Sequence, residues 1–175
     1  GGSFFEVEYV QDLDSFEAID ESYSKDRYNI YYAGTPIYDV DKSTFQIIMP
    51  DYYAKDKNNV YSGSHKIKDA NPDTIKILNQ VYLKDDKNVF LNFGQKMENV
   101  DVATFEAIEG NVAYGKDKNN VYRPINEWIH KINGANSKTI KVLNEYYSKD
   151  DKNVYYDSDK ISNADANSFV VLEGD

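Results

Sequence analysis

The sequence predicts a mainly β protein made of tandem repeats of about 30 residues, each a short helical turn followed by about three short antiparallel strands, stacked as an open array. A short phrase recurs along the chain: YSKDRYNIYY from Tyr23, YAKDKNNVY from Tyr53, YLKDDKNVF from Tyr82, YGKDKNNVY from Tyr114 and YSKDDKNVYY from Tyr147. A second landmark lies between the copies, beginning at Asp12, Asp41, Asn71, Asp101, Asn136 and Asp165 with spacings of 29 to 35 residues. Tyr occurs 16 times against two Met and one Trp, a bias that suits strands and hairpins better than a helical bundle.

These landmarks divide residues 1–175 into a single repeat domain. A first strand is expected over 4–10, where Phe4 to Val10 alternate apolar with polar residues. Units then start at 12, 41, 71, 101 and 136, and a partial unit covers 165–175. Each unit opens on a helix-start signal: Asp or Asn at the N-cap, Pro72 at a first helical position, and Ser or Thr close behind. The apolar pairs Phe16 with Ile19, Ile75 with Leu78 and Ile140 with Leu143 are spaced for one face of a helical turn. One or two turns are expected and no long helix.

The recurring phrase reads as a β-hairpin. Asp56 bonds the backbone two residues on and Asn59 takes the left-handed conformation, with the same roles for their equivalents in every copy. A second tight turn follows at Gly34, Gly63, Gly94 and Asp157-Ser158. It leads to a closing strand with Ile37, Ile67, Met97, Ile132 and Ile161. In the central strand Val60 and Tyr61, like Val89 and Phe90, point to opposite faces, and both faces are apolar or aromatic. One sheet with a wet face would alternate apolar with polar, so successive hairpin units are expected to stack. An open array or a closed propeller-like ring would satisfy this; units near 30 residues are short for four-stranded blades, which favours the array.

Charge narrows the partners. Thirty acidic against 20 basic residues give a net charge of -10, which disfavours nucleic acid and anionic membranes. There is no Cys, so no disulfide framework or thiolate metal site is available. No apolar run approaches the roughly 18 residues of a membrane span. A signal segment or lipid anchor is expected to lie outside this sequence, with Gly1-Gly2 a cloning remnant or linker.

The phrases YAKDKNNVY, YGKDKNNVY and YSKDDKNVYY, each followed by a turn and a Lys-Ile or similar pair, resemble the repeat of the DKNYY family of bacterial proteins. The resemblance runs from about Asp12 to Leu172. It implies a repeat-built protein, often exported or attached to the cell surface, and supplies no catalytic or binding residues. The first copy departs from the pattern, with Tyr28 where the others hold Asn or Lys.

Few residues break the repeat. Four extra residues lie between Tyr122 and His130, in the stretch RPINEWIH, which holds the single Trp. An enlarged hairpin tip bearing Trp128 and Ile125 is a candidate contact surface. The alternative is that Trp128 folds back to plug a gap. Tyr156, the additional ring closing the fifth phrase, is the third candidate binding residue. His65 and His130 occupy equivalent positions and read as solvated. The acidic pairs Asp85-Asp86 and Asp150-Asp151 invite calcium, but no copy has the EF-hand spacing and a Lys always adjoins the first Asp. No metal, cofactor or catalytic residue is assigned.

The expected function is a noncatalytic binding or scaffolding module, periplasmic, secreted or attached to the cell surface, contacting protein or glycan through hairpin tips and Tyr-rich faces. The alternative is a carbohydrate-active enzyme using two of the many carboxylates.

Overall fold

A computed structural model describes residues 10–109, 114–125 and 128–172 of the chain. It shows five small antiparallel sheets in tandem, none closed into a barrel. The first holds β1 (Glu17–Ala18), β2 (Tyr23–Lys25), β3 (Ile30–Tyr32) and β4 (Thr35–Pro36). The second holds β5 (Gln46–Met49), β6 (Tyr53–Lys55), β7 (Val60–Ser62) and β8 (His65–Lys66). The third holds β9 (Lys76–Ile77), β10 (Tyr82–Lys84) and β11 (Val89–Leu91), with a lone bridge from Phe90 to Lys96 where a fourth strand would lie. The fourth holds β12 (Glu106–Ala107), β13 (Gly115–Lys116), β14 (Val121–Ile125) and β15 (Trp128–Lys131). The fifth holds β16 (Lys141–Val142), β17 (Tyr147–Lys149), β18 (Val154–Tyr156) and β19 (Asp159–Lys160). The chain divides into two compact units, Gly1–Ile77 with Leu83–Lys96, and Leu78–Tyr82 with Met97–Asp175. The strand expected over 4–10 lies outside the described residues but for Val10.

The helix-start landmark is reduced to a single tight turn. Leu13–Ser15 forms one turn of 3-10 helix. In the next four repeats the turn is closed by Thr44, Thr74, Thr104 and Thr139, whose N–H groups donate to the carbonyls of Asp41, Asn71, Asp101 and Asn136 at 3.1–3.2 Å. The apolar residues after it do not line a helical face; they enter a strand. Ile75 and Ile77 flank Lys76 with the period of two that suits a strand, and β-branching favours it, so β9 pairs with β10. A unit is therefore a turn and as many as four strands.

The Lys-Asp-x-x-Asn phrase is the hairpin turn, and its Asp is the hub of the repeat. In the second repeat Asp56 Oδ1 accepts the N–H groups of Asn58 and Asn59, both at 2.7 Å. Its Oδ2 accepts the Tyr61 hydroxyl at 2.7 Å and the Asp41 N–H at 2.7 Å. Asp26, Asp117 and Asp150 repeat this set with Tyr31, Tyr122 and Tyr155. Each of these carboxylates is buried. The bond to the landmark residue, 14 to 16 positions back, ties the unit's opening turn to its hairpin.

Asn59 does not take the left-handed conformation expected of it. Its amide donates instead to the Tyr61 hydroxyl at 3.2 Å, as Asn29 and Asn120 do to Tyr31 and Tyr122. The left-handed residues recur elsewhere, two positions after the apolar residue that follows each closing strand: Asp39, Asp69, Asn99, Gly134 and Asn163 have φ of 55°, 64°, 57°, 80° and 61°. Asp, Asn and Gly are the residues that tolerate this region, so one left-handed position of the repeat sits after the closing strand; another lies in the turn before it, at Ala33, Gly34, Gly63, Phe93, Gly94 and Asp157, and neither falls on the Asn of the hairpin phrase.

A second exchange runs through the copies. Where the landmark is Asp, the residue after the hub is basic and pairs with it, as Lys57 with Asp41 at 2.5 Å, Lys118 with Asp101 at 2.6 Å and Arg27 with Asp12 at 3.4 Å. Where the landmark is Asn, that residue is acidic: Asp86 accepts from Thr74 at 2.8 Å and Asp151 from Thr139 at 2.7 Å, each also facing the Asn amide. The acidic pairs are thus turn partners for hydroxyl and amide donors.

Stacking follows the alternation. Ile30, Val60, Val89, Val121 and Val154 are 0–2% exposed and their aromatic neighbours 0–5%, so both faces are covered. In the first unit Tyr23, Ile30 and Ile37 of one repeat pack with Ala54 and Tyr61 of the next. Tyr53, Val60 and Ile67 then pack with Leu83 and Phe90. In the second unit Tyr114, Val121 and Ile132 pack with Tyr155. The Val face looks forward and the aromatic face looks back.

The third repeat has Phe90 where the others have Tyr, and Asp85 Oδ2 accepts the Asn71 N–H at 3.0 Å without a phenol. Phe90→Tyr should restore the fourth bond and raise stability by about 1 kcal/mol, the net worth of one hydrogen bond. Thermal denaturation checks it, and a lowered melting temperature would show that the hydroxyl cannot reach Asp85.

Candidate functional site

The four extra residues lengthen one hairpin. β14 has five residues against three in its equivalents β3, β7, β11 and β18, and pairs with β15 over four positions, Tyr122 opposite Lys131 through Ile125 opposite Trp128. Among the described residues β13 pairs with Val121 and Tyr122 of β14. The tip, 126–127, lies outside the described residues.

Cross-strand partners share a face, so Ile125 with Trp128 and Arg123 with His130 stand on one side, about 7 Å apart along the strand at 3.4 Å per residue. Trp128 is 68% exposed and Ile125 half-buried. The indole is therefore at the surface, not folded into a gap. His130 is exposed and likewise His65, opposite Ser62 in the second sheet.

The root of the hairpin is fixed by Arg123, which is 5% exposed. Its Nη1 pairs with the carboxylate of Asp157 and donates to the Tyr146 carbonyl at 3.4 Å. Its guanidinium lies 5.3 Å from the ring centre of Tyr114 and 5.6 Å from that of Tyr146, the placement of a cation over π faces. Burial pushes the Tyr114 hydroxyl pKa up, and the Arg123 charge partly opposes the shift. A planar cation with a rigid donor fork suits a buried stacked position better than Lys would. The sequence carries a signal for it: Arg123 stands where the other copies hold Tyr32, Ser62, Leu91 and Tyr156, and it is one of the chain's two arginines.

Tyr156 is not gathered with Trp128 into one patch. It stacks on Tyr146 at 5.9 Å with the planes 14° apart and meets the edge of Tyr147 at 5.1 Å. Tyr146 and Tyr156 are each 44% exposed. Arg123 thus stands between two surface features of this unit: through its strand it carries Ile125 and Trp128, and through Tyr146 it touches the Tyr146–Tyr156 stack. Such an arrangement offers flat apolar surface held by a buried arginine paired with the partly exposed Asp157.

A sequence model of the DKNYY family matches residues 9–126 and again 125–174. The chain belongs to the DKNYY family. No curated protein and no solved structure matches it. The boundary between the two matched stretches falls at the tip of the β14–β15 hairpin, so the lengthened hairpin is where this DKNYY chain departs from its own repeat. Among the described residues no helix is long and apolar enough to cross a membrane.

Proposed function

We propose that this DKNYY protein is a noncatalytic binding or scaffolding module that meets protein or glycan at the bacterial cell surface through the β14–β15 hairpin. A periplasmic, secreted or surface-attached location is part of the proposal and rests on the resemblance of its repeats. The observation that carries it is the exposed indole of Trp128 on a hairpin anchored by a buried arginine. A large, rigid, amphipathic side chain presented on a fixed framework is the usual anchor of a binding surface. The alternative of a hydrolase needs two carboxylates converging on a cleft. The buried carboxylates Asp26, Asp56, Asp117 and Asp150 each have both oxygens bonded within their own repeat.

Trp128→Ala should leave stability within about 0.5 kcal/mol, as surface changes do, and should sharply lower the amount of protein that cosediments with purified bacterial envelopes. Trp128 emission should be red-shifted and open to a soluble quencher. Undiminished cosedimentation of the folded variant would sink the assignment of this hairpin.

A further inference from the structure

In the fourth repeat the Arg123 guanidinium lies over Tyr114 and pairs with Asp157 of the following repeat. The same three positions one pair of repeats earlier hold Ser62, Tyr53 and Asn92. Ser62 is too short to occupy the volume that Arg123 takes, and a cavity of about 310 Å³ lies there, lined by these three residues together with Tyr32, Asp51, Tyr52 and Phe93. That volume falls at the small end of ligand sites.

Its rim is aromatic and reachable, with Tyr52 41% and Phe93 76% exposed. Phe93 is held at φ 64°, a left-handed conformation unfavourable for a bulky residue, in a turn tied down by its N–H donating to Ser62 Oγ at 3.4 Å. No Lys or Arg lines the cavity; the His65 imidazole does, and Asp51 supplies a carboxylate whose Oδ1 accepts the Ser22 hydroxyl at 2.9 Å. The clefts beside the Asp85-Asp86 and Asp150-Asp151 turns, by contrast, carry Lys76 with Lys84, and Lys138, Lys141 with Lys149. π faces, one carboxylate and a chain of net charge -10 favour a cation.

We infer that this cavity takes the arginine side chain of a basic peptide, a guest in the place where the fourth repeat supplies its own Arg123. The site lies in the other compact unit from the β14–β15 hairpin and does not rest on the role given to Trp128.

The test is an NMR titration of the ¹⁵N-labelled protein with blocked Gly-Arg-Gly and with the same peptide carrying citrulline. The arginine peptide should shift the amides of Gly63, Ser64 and Phe93 with saturation on the order of millimolar, and citrulline, which keeps the shape and lacks the charge, should bind at least about tenfold more weakly. Ser62→Arg should fill the cavity from within and abolish the shifts while the fold is kept. If that variant fails to fold, Asp51→Asn decides, since Asn tolerates φ 63° and should weaken binding about tenfold by loss of the charge. Equal binding of citrulline, unimpaired binding by folded Ser62→Arg or by Asp51→Asn, or no shift at millimolar peptide overturns the inference. Shifts of the same amides by maltotetraose but not by the arginine peptide overturn it in favour of a neutral saccharide.

Discussion

Asp56→Ala is expected to destabilise the protein by about 3–5 kcal/mol, the scale of breaking a buried charged network and well above the ~0.5–2 kcal/mol of a surface capping bond. The side chain is 2% exposed and accepts four hydrogen bonds, so its removal leaves three backbone N–H groups and the Tyr61 hydroxyl without their acceptor. Urea unfolding followed by circular dichroism measures the loss, and a value below about 1 kcal/mol would show that water replaces the carboxylate cheaply. The same hub sets the acid limit. Burial pushes the Asp56 carboxyl pKa up, but the Asp41 N–H, the Tyr61 hydroxyl and the Asn58 and Asn59 N–H groups outweigh it and leave the pKa below its ordinary value. Asp117 and Asp150 are lowered in the same way. A depressed folded-state pKa gives stability that is present above the unfolded value, near 4, and is lost as pH falls through the folded value. Unfolding stability should therefore be flat from neutral pH to about 4 and fall steeply below it. At the alkaline end Tyr155, raised to about 12 by burial and then by its bond to Asp150, gives stability that is full below pH ~10 and lost as pH rises toward 12.

Phe90→Ala is expected to cost about 3–5 kcal/mol. The ring is fully buried among Tyr53, Val60, Ile67 and Leu83, between the second and third repeats. Neither neighbour can close the gap, because each is pinned by its own hub turn, so most of the cavity should persist. The measurement is the same urea titration, with amide hydrogen exchange at Val60 and Val89 reporting whether the two repeats loosen together. A loss below about 1 kcal/mol would mean that the aromatic face is wet and the sheets do not stack there.

Much of the fold is legible in the amino-acid sequence by itself. The phrase with Asp, Asn and Tyr at fixed offsets specifies a hairpin, because turn geometry admits few other residues. Val60 beside Tyr61 specifies two covered faces, because a strand turns successive side chains apart. The period of about 30 specifies the tandem array, and the added Trp128 marks the one lengthened hairpin. Other features are decided by tertiary structure. Ile75 and Leu78 fit a helical face as well as Ile75 and Ile77 fit a strand, and the choice falls to the strand because β10 offers the backbone partners that a single turn cannot supply for itself. Asn59 satisfies the left-handed rule on paper, yet the nearby Tyr61 hydroxyl claims its amide. Asp56 reads as a local turn residue, whereas half of its bonds go to Asp41 and Tyr61, brought to it only when the unit closes. Arg123 is visible as an odd residue in the repeat, but its partners Tyr146 and Asp157 stand 23 and 34 positions away. Local offsets fix turns and strands because the interacting groups are covalently near; a buried charge must find its partners through the packing of separate repeats, which no spacing within one phrase encodes.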